Sequence, residues 1–208
     1  MKIDYRKLVE EFIAVLIASM FMAIGIVFEL FAALGGDSIT VIEEGLSKTL
    51  GVMVGTASIM YSTFMITLVF FFARKYLGWT TIANALMIGS FMNLFYPLLA
   101  PIFTSDILFY RYLVLLASVV LISIGCVILI RYQSGMNTAD ALATEIAARL
   151  HVEFRYARIA LDGLMIGLGY VLGGTVGIGT IVAMALTGPA IDYINRLVDV
   201  FMAMKASE

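Results

Sequence analysis

No charged residue interrupts positions 12–28, 50–73, 76–105, 112–130 or 163–191 of this 208-residue chain, and that constrains its fold more than any other feature. A helix needs about 20 apolar residues to cross the hydrocarbon of a bilayer. The two longest stretches are long enough for a helix plus a turn. Apolar residues make up 62% of the chain and charged ones 13%, against roughly 45–50% and about 25% in soluble domains. Too little charge remains to coat a water-soluble globule. The chain reads as an integral, polytopic, all-α membrane protein forming a single domain over 1–208.

Six spans follow from the punctuation. The first runs over about 12–34 and stops at Gly35-Gly36. The second covers about 52–72 and ends at Arg74-Lys75, and the third covers about 80–97, closed by Pro97 and Pro101. The fourth spans about 109–130, the fifth about 154–172 and the sixth about 180–195. Glycine is unfavourable inside a helix by about 1 kcal/mol relative to alanine, so Gly173-Gly174 and Gly177 separate the last two. Between the first two spans, Ile39, Ile42, Leu46 and Leu50 share one helical face while Glu43, Glu44 and Lys48 lie off it. Asp37 or Ser38 is a natural N-cap. Leu142, Ile146 and Leu150 repeat the pattern after span four, with Asp140, Glu145 and Arg149 among the polar positions. Both segments read as short amphipathic helices lying at the membrane interface.

The order is written twice. Gly78-Trp79-Thr80-Thr81-Ile82 returns as Gly177-Ile178-Gly179-Thr180-Ile181, 99 positions on; Gly89 falls opposite Gly188 and Asn93 opposite Asp192. Earlier, Gly25 maps to Gly125, Gly35 to Gly135 and Asp37 to Asn137 at an offset of 100. The two copies cover about 10–100 and 108–197. Lys and Arg concentrate before span one (Lys2, Arg6, Lys7), between two and three (Arg74, Lys75), between four and five (Arg131, Arg149, Arg155, Arg158) and after six (Arg196, Lys205). Loops of the other parity carry few cations: Lys48 in one, and Arg111 with Asp106 around another. Cationic loops stay in the cytoplasm, which predicts that both termini are cytoplasmic. Three spans per copy is an odd number, so the copies are expected to be inverted about an axis in the membrane plane, as in many transporters.

The Gly35-Gly36-Asp37 turn, the two Gly-x-x-Thr-Ile starts and the run from Gly173-Gly174 to Gly188-Pro189 resemble the YczE/YitT family of bacterial membrane proteins. The resemblance extends over about residues 10–195. It implies a helical fold in the bacterial inner membrane and permease activity, without naming a substrate. It also leaves the expectation that the soluble C-terminal domain of some YitT-like members is missing.

Candidate site residues divide into two sets. Thr80 and Thr81, with Gly179 and Thr180, begin helices whose unpaired N–H groups carry partial positive charge and suit an anion. The alternative is that the glycines serve packing while the threonines satisfy their own helices. Asn84, Asn93 and Asp192 extend this substrate-binding set along spans three and six. Asp192 also stands at ion-pair spacing from Arg196. Glu29 and Asp162 interrupt apolar spans, where ionisable groups usually face the bundle interior. Each is either hydrated near a membrane face or buried, and a buried one is a proton or ion carrier. Gly163, Gly167, Gly169 and Gly173 form a small-residue face for close helix packing, within the protomer or in a homodimer. Ala14 and Ala18 form a weaker seam. Trp79, Tyr76 and Tyr96 suit the aromatic belts.

Other chemistry finds no residues. His151, the single histidine, reads as a solvated loop residue, and Cys126, the single cysteine, as an apolar filler. A transition-metal site is therefore not expected, and neither is a cofactor. No nucleophile motif or nucleotide-binding glycine loop appears, so no enzyme is expected, and the interspersed charges give nucleic acid no patch. The expected function is a permease moving a small polar or anionic solute by alternating access, with membrane lipid around it. The alternatives are a substrate-binding subunit of an ATP-driven uptake system, or a non-transporting assembly or regulatory factor.

Overall fold

A computed structural model describes residues 5–103, 107–132 and 136–206. Gly135, the repeat partner of Gly35, and Lys2 and Asp106 of the charge pattern lie outside the described residues. The elements are α1 (Tyr5–Ala32), α2 (Ser38–Leu50), α3 (Val54–Phe72), a 3-10 turn (Arg74–Tyr76), α4 (Trp79–Leu99), α5 (Leu108–Arg131), α6 (Thr138–Leu150), α7 (Phe154–Val171) and α8 (Ile178–Ala206). Among the described residues there is no strand. Within α1, Leu8–Ala32 is long and apolar enough to cross a bilayer, as are α3, α4 and α5. By composition α7 carries Arg155, Arg158 and Asp162 within its 18 residues.

Two helix ends differ from expectation. Pro97 sits in the last turn of α4, which runs on to Leu99, because one missing N–H near a helix end frees a single carbonyl. α8 continues past Arg196 to Ala206. No helix breaker lies there, and Arg131 of α5 holds it by bonding Asn195 O at 2.6 Å and Asp199 Oδ1 at 2.7 Å.

α1 and α5 form the spine. They run antiparallel: Ala32 packs with Val114 and Leu115, while Ala18 and Met22 meet Gly125 at the other end. The contact is reciprocal, since Gly25 lies against Ser118 and Ile122, the counterparts of Ala18 and Met22 at an offset of 100. A Cβ on Gly25 would come within 3.0 Å of Ser118 O, so glycine sets the helix spacing. Arg111 of α5 caps α1 by donating to Ala32 O and Ala33 O, both at 2.6 Å; a cation at a helix C-terminus is favourable. α4 packs on both α1 and α3. Its counterpart α8 packs along α5, and α7 and α8 are not packed along each other.

The polar side of α2 does not meet water: Ser38, Thr40, Val41, Ile42, Glu43, Gly45 and Ser47 are buried. It sinks between α3 and α7, because Gly45 and Gly169 let backbones approach closely; a Cβ on Gly169 would meet Val41 O at 2.7 Å. The amphipathic pattern was real, but protein covers both of its sides. α6 likewise packs on α3 and α7. Both helices have a side-chain N-cap and a left-handed C-cap. Asp37 Oδ1 accepts from Thr40 N–H at 2.7 Å, and Asn137 Oδ1 accepts from Ala139 N–H at 3.2 Å. Gly51 ends α2 at φ 66°, and His151 ends α6 at φ 55°. His151 is thus a helix stop, its N–H bonded to Ala147 O.

Candidate functional site: a buried polar cluster between the short helices

The N-terminal ends of α2 and α6 converge on one point. Ile42, Tyr61, Met65, Ala139 and Met165 form a single buried cluster, with Ile39, Leu142 and Leu161 packed against it. It therefore draws on α2, α3, α6 and α7 together. Tyr61 closes it by donating its hydroxyl to Met165 Sδ at 2.8 Å.

Polar groups gather beside this apolar floor. Asp162 of α7 accepts from Ser38 of α2 at 2.6 Å and from Arg158 Nε at 3.0 Å. Arg158 Nη1 also donates to Asp140 Oδ1 of α6 at 2.6 Å. One guanidinium thus ties α6 to α7, and through Asp162 to the first turn of α2. On the α1 side, Glu29 Oε2 accepts from Asp37 N–H at 3.2 Å. Glu43 Oε1 accepts from Ser58 of α3 at 2.7 Å. Glu29 and Glu43 are each 2% exposed. Arg158 pairs with Asp140 and Asp162, and Glu29, Asp37 and Glu43 are the further carboxyl groups of the cluster. Glu29 Oε1, Thr40 Oγ1 and Glu43 Oε2 are buried without a hydrogen-bond partner. Orphaned buried oxygens of this kind are uncommon and ask for a reason.

Two latches flank the cluster. At the C-terminal end of α2, Lys48 donates to Gly173 O at 3.0 Å, and Thr49 donates to Leu172 O at 2.8 Å. Glu44 accepts from the backbone and hydroxyl of Thr175 at 2.7 and 2.8 Å. At the C-terminal end of α6, Arg149 donates to Phe72 O at 3.0 Å, and Lys75 pairs with Glu145 at 3.0 Å. Each short helix is therefore fastened to the connection between two long helices of the other half. The Arg149 and Lys75 partners hold the Glu145 carboxyl below its ordinary range. Hydrogen bonding to Glu145 and Tyr76 raises Lys75.

Of the two residues expected to carry charge in the membrane, Glu29 and Asp162, both are buried and both belong to the cluster. The helix-start residues lie elsewhere. Thr80 is buried, and Thr81 donates to Met136 O at 3.1 Å. Gly179 donates its N–H to Leu34 O at 2.8 Å, and the buried Thr180 accepts from Gly177 N–H at 3.3 Å. Each start therefore packs on the loop that precedes the short helix of the other half. Asn84 accepts from Ser19 at 2.8 Å, and Asn93 donates to Thr56 at 3.0 Å. Asp192 is exposed on α8. Gly169 packs tightly, but Gly163 and Gly167 face open space. A cleft of about 310 Å³ between α1 and α5, lined by Glu10, Ile13, Ala14, Ile17, Ile128 and Tyr132, shares no residue with the cluster.

Asp37, Glu43, Asp140 and Arg158 were not singled out as site residues by sequence. A signal existed for Arg158: the repeat offset of 100 sets it opposite Ser58 and sets Asp162 opposite Ser62, polar positions in both copies. Glu43 had none, since its helix looked amphipathic. Among the described residues, no group of three or more His, Cys, Asp or Glu side chains is arranged to hold a metal ion.

Comparison with known proteins locates the chain without assigning it a task. The profile of DUF6198, a family of unknown function, matches residues 9–196. The chain belongs to this family. A relative from Haemophilus influenzae, named as an uncharacterized protein, is 26% identical over 183 residues, covering 88% of this chain and 82% of its own. No solved structure matches.

Proposed function

We propose that this member of DUF6198 is a permease of the bacterial inner membrane that moves a small polar solute by alternating access. In this reading α1, α3, α4 and α5, α7, α8 are six spans in two inverted repeats, both termini lie in the cytoplasm, and α2 and α6 are half-helices entering from opposite faces. The observation that carries it is the Ser38–Asp162–Arg158–Asp140 chain of bonds, which joins the N-terminal ends of the two short helices in one buried polar cluster. Transporters commonly bind substrate near the bilayer midplane, at broken or short helices between inverted repeats.

Three reciprocities support the inversion: the antiparallel Gly25 and Gly125 contacts, the crossed Gly-Thr starts, and the two latches. The latches fit a gating role, since opening one end of the pathway requires releasing one of them while the other holds. The YczE/YitT-like motifs agree with a permease. Charge narrows the solute: carboxylates outnumber the one guanidinium, which two of them already occupy, so a neutral or cationic polar solute suits the cluster better than an anion. Glu29, with an orphan oxygen, suits ion coupling. Asp162, held by Arg158 and Ser38, suits the positioning of α2 against α7. The uncovered face of α7 at Gly163 and Gly167 is the proposed contact for a homodimer in the membrane.

The test is a thermal-shift screen of the purified protein against small polar metabolites, followed by uptake of a radiolabelled hit into proteoliposomes. A ligand that stabilises the wild type by mass action but not Asp162→Asn supports the reading. Failure of every hit to enter proteoliposomes overturns it. Uptake that demands ATP and a co-purifying ATPase replaces it with a substrate-binding subunit.

A further inference from the structure

One bond fastens the end of α6 to α3, and its twin fastens the end of α2 to α7. Arg149 donates to Phe72 O at 3.0 Å and Thr49 donates to Leu172 O at 2.8 Å; donor and acceptor alike are related by the repeat offset of 100. The joint is therefore built twice, once with a neutral hydroxyl and once with a cation. Its surroundings differ in the same direction. Arg74 and Lys75 stand where the twin joint has Gly174 and Thr175. At the twin joint Lys48 is balanced by Glu44 at 2.7 Å. At the joint of α3 and α6, Lys75 Nζ and Arg149 Nε converge on one carboxylate, Glu145, at 3.0 and 2.8 Å. Arg74 lies over the Phe70 ring, 4.9 Å from its centre, and pairs with no carboxylate among the described residues. Three cations thus stand against one acid, an excess that the twin joint shows is not needed for closure.

The excess stands at the end of an apolar span. α3 is long and apolar enough to cross a bilayer and ends at Phe72, so a membrane crossed by α3 puts Arg74 and Lys75 at headgroup level. A ring backs each cation: Phe70 beneath Arg74, Tyr76 with its centre 4.8 Å from Lys75 Nζ, and Phe72 with its centre 5.9 Å from the Arg149 guanidinium carbon. Phe70, Phe71 and Phe72 are themselves exposed, and the Lys75 and Arg149 side chains are 62% and 57% exposed. Apolar bodies with cationic tips suit the membrane interface.

We infer that Arg74, Lys75 and Arg149 bind the phosphodiester of an anionic phospholipid whose acyl chains lie against Phe70, Phe71 and Phe72. A guanidinium fork matches a pair of phosphate oxygens, and that of Arg74 has no acid on it. A zwitterionic lipid brings its own ammonium group among three cations, whereas an anionic headgroup brings none. A free phosphate would engage the cations and leave the exposed rings uncovered. Bound there, the lipid bridges the end of α3 to the end of α6 and holds that joint closed. The inference needs α3 to cross a membrane and stands apart from the permease reading.

The experiment follows the thermal midpoint of the full chain in detergent during titration with phosphatidylglycerol, phosphatidylcholine or inorganic phosphate. Native mass spectrometry counts the lipid retained after delipidation. The expected result is a saturable rise with phosphatidylglycerol, as mass action requires of a ligand of the folded state, and none with phosphatidylcholine or phosphate. Arg74→Gln breaks no ion pair and should weaken the apparent affinity about fivefold, the factor for one cation near an anionic surface. Arg149→Thr copies the neutral twin joint, so it should fold and bind more weakly, and Arg74→Gln/Lys75→Gln should bind more weakly than either. Arg155→Gln removes the same charge elsewhere and should bind like the wild type. Equal rises with phosphatidylglycerol and phosphatidylcholine overturn the site. Weakening by Arg155→Gln as large as that by Arg74→Gln also overturns it, since net charge then explains the effect. A rise with inorganic phosphate equal to that with phosphatidylglycerol overturns the lipid and leaves an anion site.

Discussion

Replacing Arg158 by glutamine strands two carboxylates at the meeting point of α2, α6 and α7. Arg158 donates to Asp162 at 3.0 Å and to Asp140 at 2.6 Å, and hydrogen bonds to charged groups are worth about 1.5–3 kcal/mol each. Removing one member of a buried pair costs about 3–5 kcal/mol, because the remaining charge stays desolvated. The side chains of Arg158 and Asp140 are 26% and 39% exposed, and that of Asp162 is 11% exposed. Partial hydration places the expected loss at the low end, about 3 kcal/mol. At this chain length that corresponds to roughly 6–12 °C in the thermal midpoint. Arg155→Gln on the same helix is the internal standard. Its pair with Glu153 is 64% and 66% exposed, and exposed pairs contribute about 0–1 kcal/mol. Thermal unfolding of both variants in detergent gives the comparison. The double variant Arg158→Gln/Asp162→Asn removes the stranded charge and should recover about 1 kcal/mol or more of coupling. A loss within about 0.5 kcal/mol of Arg155→Gln, with no coupling in the double variant, refutes the claim that this guanidinium holds the cluster together.

Two further outcomes follow from the packing and the latches. Gly169→Ala should destabilise by about 1–3 kcal/mol through overpacking against Val41 O and Ile42, whereas Gly163→Ala, with nothing within 4 Å, should gain about 0.5–1 kcal/mol of helix propensity; equal midpoints for the two would deny the close α2–α7 approach. Glu145 has its folded pKa below 4.5, so its contribution is complete above that value and is lost as pH falls through the depressed one. The stability gap between wild type and Glu145→Gln should therefore close in acid, and a gap unchanged down to about pH 3 would contradict the latch.

The sequence was most readable where a residue's environment depends on its own neighbours. Uncharged runs announced α1, α3, α4 and α5 because hydrocarbon demands a continuous apolar helix. Asp37 and Asn137 announced the starts of α2 and α6 because an N-cap bonds only to its own first turn. Glu29 and Asp162 stood out because charge inside an apolar run is expensive wherever the run lies. Depth was not legible for α2, whose apolar stripe is the same whether its polar face meets water or Ser58.

What the amino-acid sequence determined by itself is therefore the helical, membrane-like class and two of the buried acids. Tertiary structure alone decided that α2 lies between α3 and α7, that Glu43 and Arg158 join Glu29 and Asp162, and that the Gly-Thr helix starts serve as contacts between the halves. The reason is one of range. Helix formation and bilayer compatibility are set by residues a few positions apart, but Ser38 and Asp162 are 124 residues apart, and no local pattern records which distant carboxylate a serine will meet.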